Sequence, residues 1–409
     1  MESKGANKVS RTGPLEGILI ADFTQLAQGP FATMILGDMG AEIVKIEPPG
    51  GDWMRNFALS GIYAGGETIS YMCFNRNKRS IGIDLKSKEG LELVRTLCDK
   101  ADVVIENFRP GVMKRLGIDY ETLKKTNPDI IVVSSSGYGS SGPYVTRPGQ
   151  DLLAQAITGF PTVIGRKEDP PTPIAAGIAD LTAGFHIVYG TLAALISRMN
   201  TGEGQSVEVN LMSSILTTQL DQFTAFLANR TQPDRSSAGI ANPWTGAPYG
   251  LYKCIDGWIA IAMNPLSEIG EVLDIPEFKN LESKNEISKR DEYKRLIDAK
   301  TINWKVDDLL EKMLEKDLWC APLQDYEAVS KDPQVLHNEM IVSIPHPTAG
   351  SLETLGIPVK FSGTPSKIRK HPPLFSEHAN ELAREFFGLN DSQISDYFAK
   401  GIISKPKKI

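Results

Sequence analysis

The chain has 409 residues, with 44 Lys+Arg against 50 Asp+Glu and a formal net charge of −6. Hydrophobic residues at 41% and charged residues at 23% are ordinary for a globular protein, and the length suggests two or three domains at about 150 residues each. A mildly acidic chain without basic blocks excludes a nucleic-acid partner, and no stretch approaches the ~18 uninterrupted apolar residues that a membrane span needs.

Met1 to Gly13 is polar, lacks an apolar h-region, and reads as a frayed tail and not as a secretory signal. From Ile18 to Ala21 an apolar run ending at Asp22 predicts a buried strand. A turn through Gly29-Pro30 leads to a helical pattern over Phe31 to Leu36 that stops near Gly37 and Gly40, and Ala41 to Ile46 is a second strand, completing a βαβ unit. Strands at Ser80 to Ile83, Val103 to Ile105 and Ile130 to Val133 alternate with helices at Lys88 to Lys100 and Tyr120 to Lys125. The alternation implies an α/β fold with a parallel sheet covered on both faces. One apolar helix is expected from Leu181 to Met199 and another from Val207 to Leu227. Residues 230–250, rich in Pro, Gly and Ser, read as a linker or long loop. A β segment over Trp258 to Met263 and charged helices around 286–317 suggest a small second domain. After Ile344 the chain reads as loop, ending in a helix near 377–388.

Four cysteines, Cys73, Cys98, Cys254 and Cys320, are widely spread and form no CxxC pair. The spacing argues against a zinc site or a disulfide framework and for a reducing, cytoplasmic setting. Gly137-Tyr-Gly139-Ser-Ser-Gly142 matches GxGxxG after a strand, but Pro143 and Pro148 follow, so no helix can begin there to receive a pyrophosphate. It reads as a loop beside a pocket. Basic residues gather at Arg76, Lys78, Arg79 and Lys86 and again at Arg109, Lys114 and Arg115. Lys86 and Asn107-Phe108-Arg109 directly follow expected strands, at the carboxyl edge where open α/β sheets bind ligands, and a phosphate-bearing ligand fits there. The five histidines form no triad or metal spacing, and HExxH and GxSxG are absent, which weakens hydrolase and metalloenzyme readings. Asp180 closes the small-residue run Ala175 to Ala179 before the long apolar helix. It is either a helix N-cap or a confined carboxylate acting as nucleophile or base. Asp151, in Gly149-Gln150-Asp151, is either a second such carboxylate or another cap.

These residues, in order, resemble one family. Ala21-Asp-Phe23 with Gly29-Pro30, Gly40 to Glu47, Asn75 to Ser80, Ile83 to Lys86, Ala101 to Phe108, Ala179-Asp180, Gly202 to Gln205 and Gly356 to Ser362 are similar to the class III coenzyme A transferases. Formyl-CoA and carnitine CoA-transferases belong there, with α-methylacyl-CoA racemases as relatives. The resemblance implies a large Rossmann-like domain (residues 14–229, with a C-terminal return over 345–409) and a smaller α+β domain with its linker (230–344). It also implies a homodimer of two interlocked rings. Asp180 then matches the catalytic aspartate, and Gln28, Ile83, Lys86, Asn107, Phe108, Arg109 and Arg115 match CoA contacts. Gln150 and Asp151 would line the thioester end. No metal and no cofactor beyond CoA itself is implied, and the partners are an acyl-CoA donor and a carboxylic acid acceptor. The racemases carry His where this chain has Gln150, which cannot shuttle a proton at neutral pH. Transfer is therefore favoured over racemisation, with a non-catalytic acyl-CoA-binding subunit and a dinucleotide oxidoreductase as more distant alternatives. The loop Asn242 to Gly250 lacks the glycine run of the best-known transferases.

Overall fold

In the computed structural model, which describes residues 13–279, 281 and 287–407, the first apolar run forms strand β1 (Leu19–Asp22). Residues 1–12 of the expected tail lie outside the described residues. Helix α1 (Gln28–Asp38) follows, then β2 (Glu42–Glu47), β3 (Lys78–Gly82), α2 (Lys88–Lys100), β4 (Val103–Glu106) and β5 (Ile131–Ser136). Beyond a glycine-containing stretch come α3 (Asp151–Ile157), α4 (Ile178–Thr201) and β6 (Ser206–Asn210).

These strands form one six-stranded sheet, all parallel, in the order β3-β2-β1-β4-β5-β6. This is a doubly wound order, in which the winding reverses between β1 and β4 and opens a crevice at their carboxyl ends. On one face α2 begins where Ser87 accepts from the Gly90 amide at 3.0 Å, and its Leu93, Val94, Leu97 and Cys98 recur at helical spacing. They pack with Ala21, Val44, Ile81 and Val104 of the sheet and with Leu382, Ala383 and Phe386 of the helix Ala379–Phe387. Each Leu, Val, Ile or Phe among them contributes about 1.5–3 kcal/mol by leaving water. The alternate side chains Ile20, Ile43, Val103 and Ile105 are buried on the other face, which α1 and α4 cover.

The chain divides into two compact units. The first takes the residues up to Ala154, Gly177–Ile215, and those from Pro333 on; the second takes Gln155–Ala176 and Leu216–Asp332. The second holds an antiparallel three-stranded sheet, with Trp258–Ile261 between Gly250–Lys253 and Cys320–Pro322. Helices Leu266–Leu273, Arg290–Thr301 and Val306–Leu314 close on Tyr252, Ile259, Phe278, Ile297 and Leu309.

Several expectations change. Gly29-Pro30 is not a turn but lies in the first turn of α1, where a missing proline N–H costs nothing. The expected helix from Val207 to Leu227 opens instead as strand β6, followed by helices Leu211–Thr217 and Leu220–Asn229. Ser206-Val-Glu-Val-Asn210 alternates with a period of two, and β5 supplies the parallel partner. After Met340 a hairpin pairs Ile341–His346 with Gly350–Leu355 where loop was expected, and a further helix, Asp391–Ala399, follows the C-terminal one. By length and composition alone α4 could cross a bilayer, although no uninterrupted apolar run marks it in the sequence; here it packs on α1, β5 and β6. Its outer side leaves Phe185, Tyr189, Ile196 and Met199 exposed.

Candidate active site

The loop between β1 and α1 rests on charges buried inside apolar strands. Lys45 of β2 lies 2.8 Å from Asp52 and donates to the Thr24 carbonyl at 2.7 Å. Lys78 of β3 lies 3.3 Å from Asp22 and donates to the Pro30 carbonyl at 3.0 Å. Asp22 also accepts from Thr24 and Thr33. Burial works to raise the Asp22 carboxyl, but Lys78 and Lys45 outweigh it and hold it below its usual range. Burial, only partly offset by Asp22, pushes Lys78 down to about 8. Thr24 and Pro30 are thereby fixed on either side of Gln28.

Asn107, directly after β4, clasps the same loop from across the crevice: its Oδ1 accepts from the Gln25 amide at 2.9 Å and its Nδ2 donates to the Gln25 carbonyl at 2.7 Å. Phe108 donates its amide to Glu106 at 2.7 Å and packs on the sheet core. Ile83 is fully buried, with its amide on the Glu47 carbonyl, so it offers a ligand only its backbone. The expected cations separate into two kinds. Arg76 is bound to Asp38, and Arg79 to Glu42, Glu381 and Glu385, all with the arginine buried; with Lys78 they are structural. Lys86, Arg109 and Arg115 are exposed, and none has an acidic partner among the described residues. They remain available to phosphate oxygens at the carboxyl edge of the sheet.

Asp180 is not the N-cap of α4. That position is Gly177, which has no side chain to offer, and Asp180 lies inside the first turn. The capping acceptor comes from α3: Asp151 Oδ1 takes the Ala179 amide at 2.6 Å and the Asp180 amide at 3.3 Å. Burial first, and the neighbouring Asp151 charge second, push the Asp180 carboxyl from 3.8 up to about 7. Gln28, the first residue of α1, faces this helix, since α1 and α4 cross at Gly184. A Cβ there would lie 3.0 Å from the Gln28 carbonyl and 2.6 Å from the Phe31 ring. The Gln28 side chain is buried and its Oε1 accepts from Ser135 Oγ at 2.7 Å, leaving its NH2 as a fixed donor. Gln150 is exposed and its Oε1 accepts from the Leu152 amide at 3.1 Å. Asp151 and Asp180 are thus brought together at the start of α4, while Gln28 meets the helix at Gly184 and turns its side chain to Ser135.

Sequence reasoning missed Ser135, whose signal was the polar run Ser134-Ser-Ser136 ending an apolar strand. It also missed Glu106, which burial pushes up to about 7 although Ser134 and the Phe108 amide bond to it. His186 bonds Ser214 at 2.8 Å and burial lowers its pKa, so it is a neutral packed side chain. Among the described residues no group of three His, Cys, Asp or Glu is arranged to hold a metal ion.

A sequence profile of CoA-transferase family III matches residues 15–379. The chain is 30% identical over 401 residues to the human succinyl-CoA:glutarate CoA-transferase, covering 96% of this chain and 90% of the relative. It is also 30% identical over 411 residues to the formyl-CoA:oxalate CoA-transferase of Streptomyces coelicolor, covering 95% and 99%. Among solved structures, a CAIB/BAIF family protein from Brucella suis superposes with a TM-score of 0.81 at 31% identity, over 92% of this chain and 100% of that one.

Proposed function

This chain belongs to CoA-transferase family III, and on that premise we propose that it moves CoA between two carboxylic acids through covalent intermediates on Asp180. The observation that carries the reading is a carboxylate at the sheltered start of α4 whose proton affinity is raised to about 7. A carboxylate that holds its proton so late is a stronger base and nucleophile once ionised than an ordinary aspartate.

The ionised Asp180 attacks the donor thioester carbonyl. The C–S bond breaks, CoA leaves as thiolate, and a mixed anhydride joins Asp180 to the donor acyl group. The thiolate attacks the aspartyl carbonyl, expels the donor carboxylate and leaves an aspartyl-CoA thioester. The acceptor carboxylate then displaces the thiolate to give a second anhydride. Attack of the thiolate on its acyl carbonyl yields the new acyl-CoA and frees Asp180. Dividing the exchange this way replaces one difficult step by several accessible ones. Each tetrahedral intermediate carries an oxyanion, and the Gln28 NH2, oriented by Ser135, is a suitable donor to it. Lys86, Arg109 and Arg115 would take the phosphates of CoA.

The acceptors named for the two curated relatives above, glutarate and oxalate, are dicarboxylic acids, so the acceptor proposed here is a dicarboxylic acid. A homodimer is part of the same reading, supported by the exposed apolar side of α4 at Phe185, Tyr189, Ile196 and Met199. The test is a CoA-exchange screen of several acyl-CoA donors against a panel of mono- and dicarboxylic acids, with products read by mass. Wild type should transfer, Asp180→Ala should not, and hydroxylamine should trap a mass-shifted Asp180 peptide. Normal turnover by folded Asp180→Ala would sink the assignment.

A further inference from the structure

Helix α4 lacks a cap of its own. Gly177 leaves the first-turn amides to find acceptors elsewhere, and Asp151 takes two of them, at Ala179 and Asp180. Asp151 is delivered to that place by a closure of the backbone. Gly137, the residue after β5, lies against Gly149: a Cβ on Gly137 would be 2.5 Å from the Gly149 Cα, and one on Gly149 would be 2.3 Å from the Gly137 Cα. The first glycine of the GxGxxG match is therefore explained by this approach and not by a phosphate.

We propose that Asp151 is the positioning residue for Asp180: it caps α4 in place of Gly177, fixing the backbone that carries the nucleophile, and holds a negative charge beside the reacting carboxylate. The proposal rests on the reading of Asp180 as nucleophile given above. An aspartate in the first turn of a helix is ordinarily stabilised as an anion by free amides and the helix dipole. Here those amides already serve another carboxylate, so the usual stabilisation is offset and Asp180 keeps its proton to about 7. Of the other charged groups on the elements packed against α4, Asp38 of α1 is bound to Arg76 and Glu208 of β6 to Ser140. On α4 itself His186 bonds Ser214 and Arg198 pairs with Asp102. From α1 and β5 come Gln28 and Ser135, both neutral. Asp151 is the charge that acts on Asp180.

Asp151→Asn and Asp151→Ser each keep a side-chain oxygen for the two amides and remove the charge. The full chain is labelled with [13C]aspartate, the Asp180 carboxyl resonance is assigned by its loss in Asp180→Asn, and the resonance is titrated with pH. In both neutral variants the Asp180 midpoint should fall by about one pH unit or more, with the melting temperature close to wild type. The acid limb of kcat/KM for CoA transfer should move down by the same amount. Asp151→Ala, which removes the acceptor as well, should lower the melting temperature. An Asp180 midpoint unmoved in both neutral variants overturns the proposal, and so does failure of both to fold. A wild type without any CoA transfer overturns the functional reading instead, while the titration still decides the role of Asp151.

Discussion

Replacing Asp180 with asparagine should stabilise this protein while it abolishes transfer. Burial and the Asp151 charge raise the carboxyl from 3.8 to about 7. A carboxyl with a higher pKa folded than unfolded binds its proton more tightly in the folded chain. Its contribution is therefore most favourable below about pH 4, declines as the pH rises to about 7, and is constant above that. At about 1.4 kcal/mol per pKa unit the full decline is about 4 kcal/mol, and the partial exposure of Asp180 reduces this to about 2–4 kcal/mol. Asparagine has nearly the same shape and never ionises. The variant should match wild type near pH 4, gain steadily through the acid range, and lead by about 2–4 kcal/mol above pH 7. Urea unfolding followed by far-UV circular dichroism at several pH values measures the gap. A variant no more stable than wild type at alkaline pH, or a gap that does not grow with pH, refutes the reasoning.

The backbone closure at Gly149 should tolerate no methyl group: Gly149→Ala is expected to cost about 1–3 kcal/mol by crowding, read as a lower melting temperature. Glu47 shows the opposite sign. Burial works to raise it, but Arg55 and Lys45 bring it from 4.5 down to about 2, so its contribution is present above about pH 4.5 and lost as the pH falls through about 2. Glu47→Gln should flatten acid unfolding over that window, and an unaltered acid transition would count against the pairing of Glu47 with Arg55, 2.7 Å away. Lys86→Ala, Arg109→Ala and Arg115→Ala should each raise KM for acyl-CoA about tenfold with kcat little changed, an effect that shrinks as salt is added. Arg79→Ala should leave KM alone and instead destabilise by about 1–2 kcal/mol, because it removes a buried guanidinium and the packing of its stem while the three glutamates stay hydrated; a KM effect there would contradict the division between structural and ligand-facing cations.

The parallel sheet was legible because β1, β4 and β5 carry short apolar runs and α2 has clean helical spacing. Asp180 stood out by its place before a long apolar helix, yet its relation to Asp151 did not, since a cap supplied from another helix leaves no local pattern. The capping pair Asn390 and Gln393 that starts Asp391–Ala399 was readable and went unused. β6 was misread because Val207 and Val209 alternate for only one short strand before helix resumes. Lys78 and Arg79 look like surface cations in sequence; only the fold shows Asp22 beneath one and three glutamates around the other. Nothing in composition marks Gln155–Ala176 as part of the second unit.

That last segment gives the contact between Asp151 and the start of α4 a second meaning. The chain leaves the first unit after Ala154 and returns at Gly177, so Asp151 and Asp180 stand near the exit and the re-entry, and the bonds from the Ala179 and Asp180 amides to the Asp151 carboxylate tie the neck of the excursion. The entropy of closing a loop grows only with the logarithm of its length. Once the neck is tied, a change in the length of what lies beyond it adds little to the cost of holding Asp180 in place.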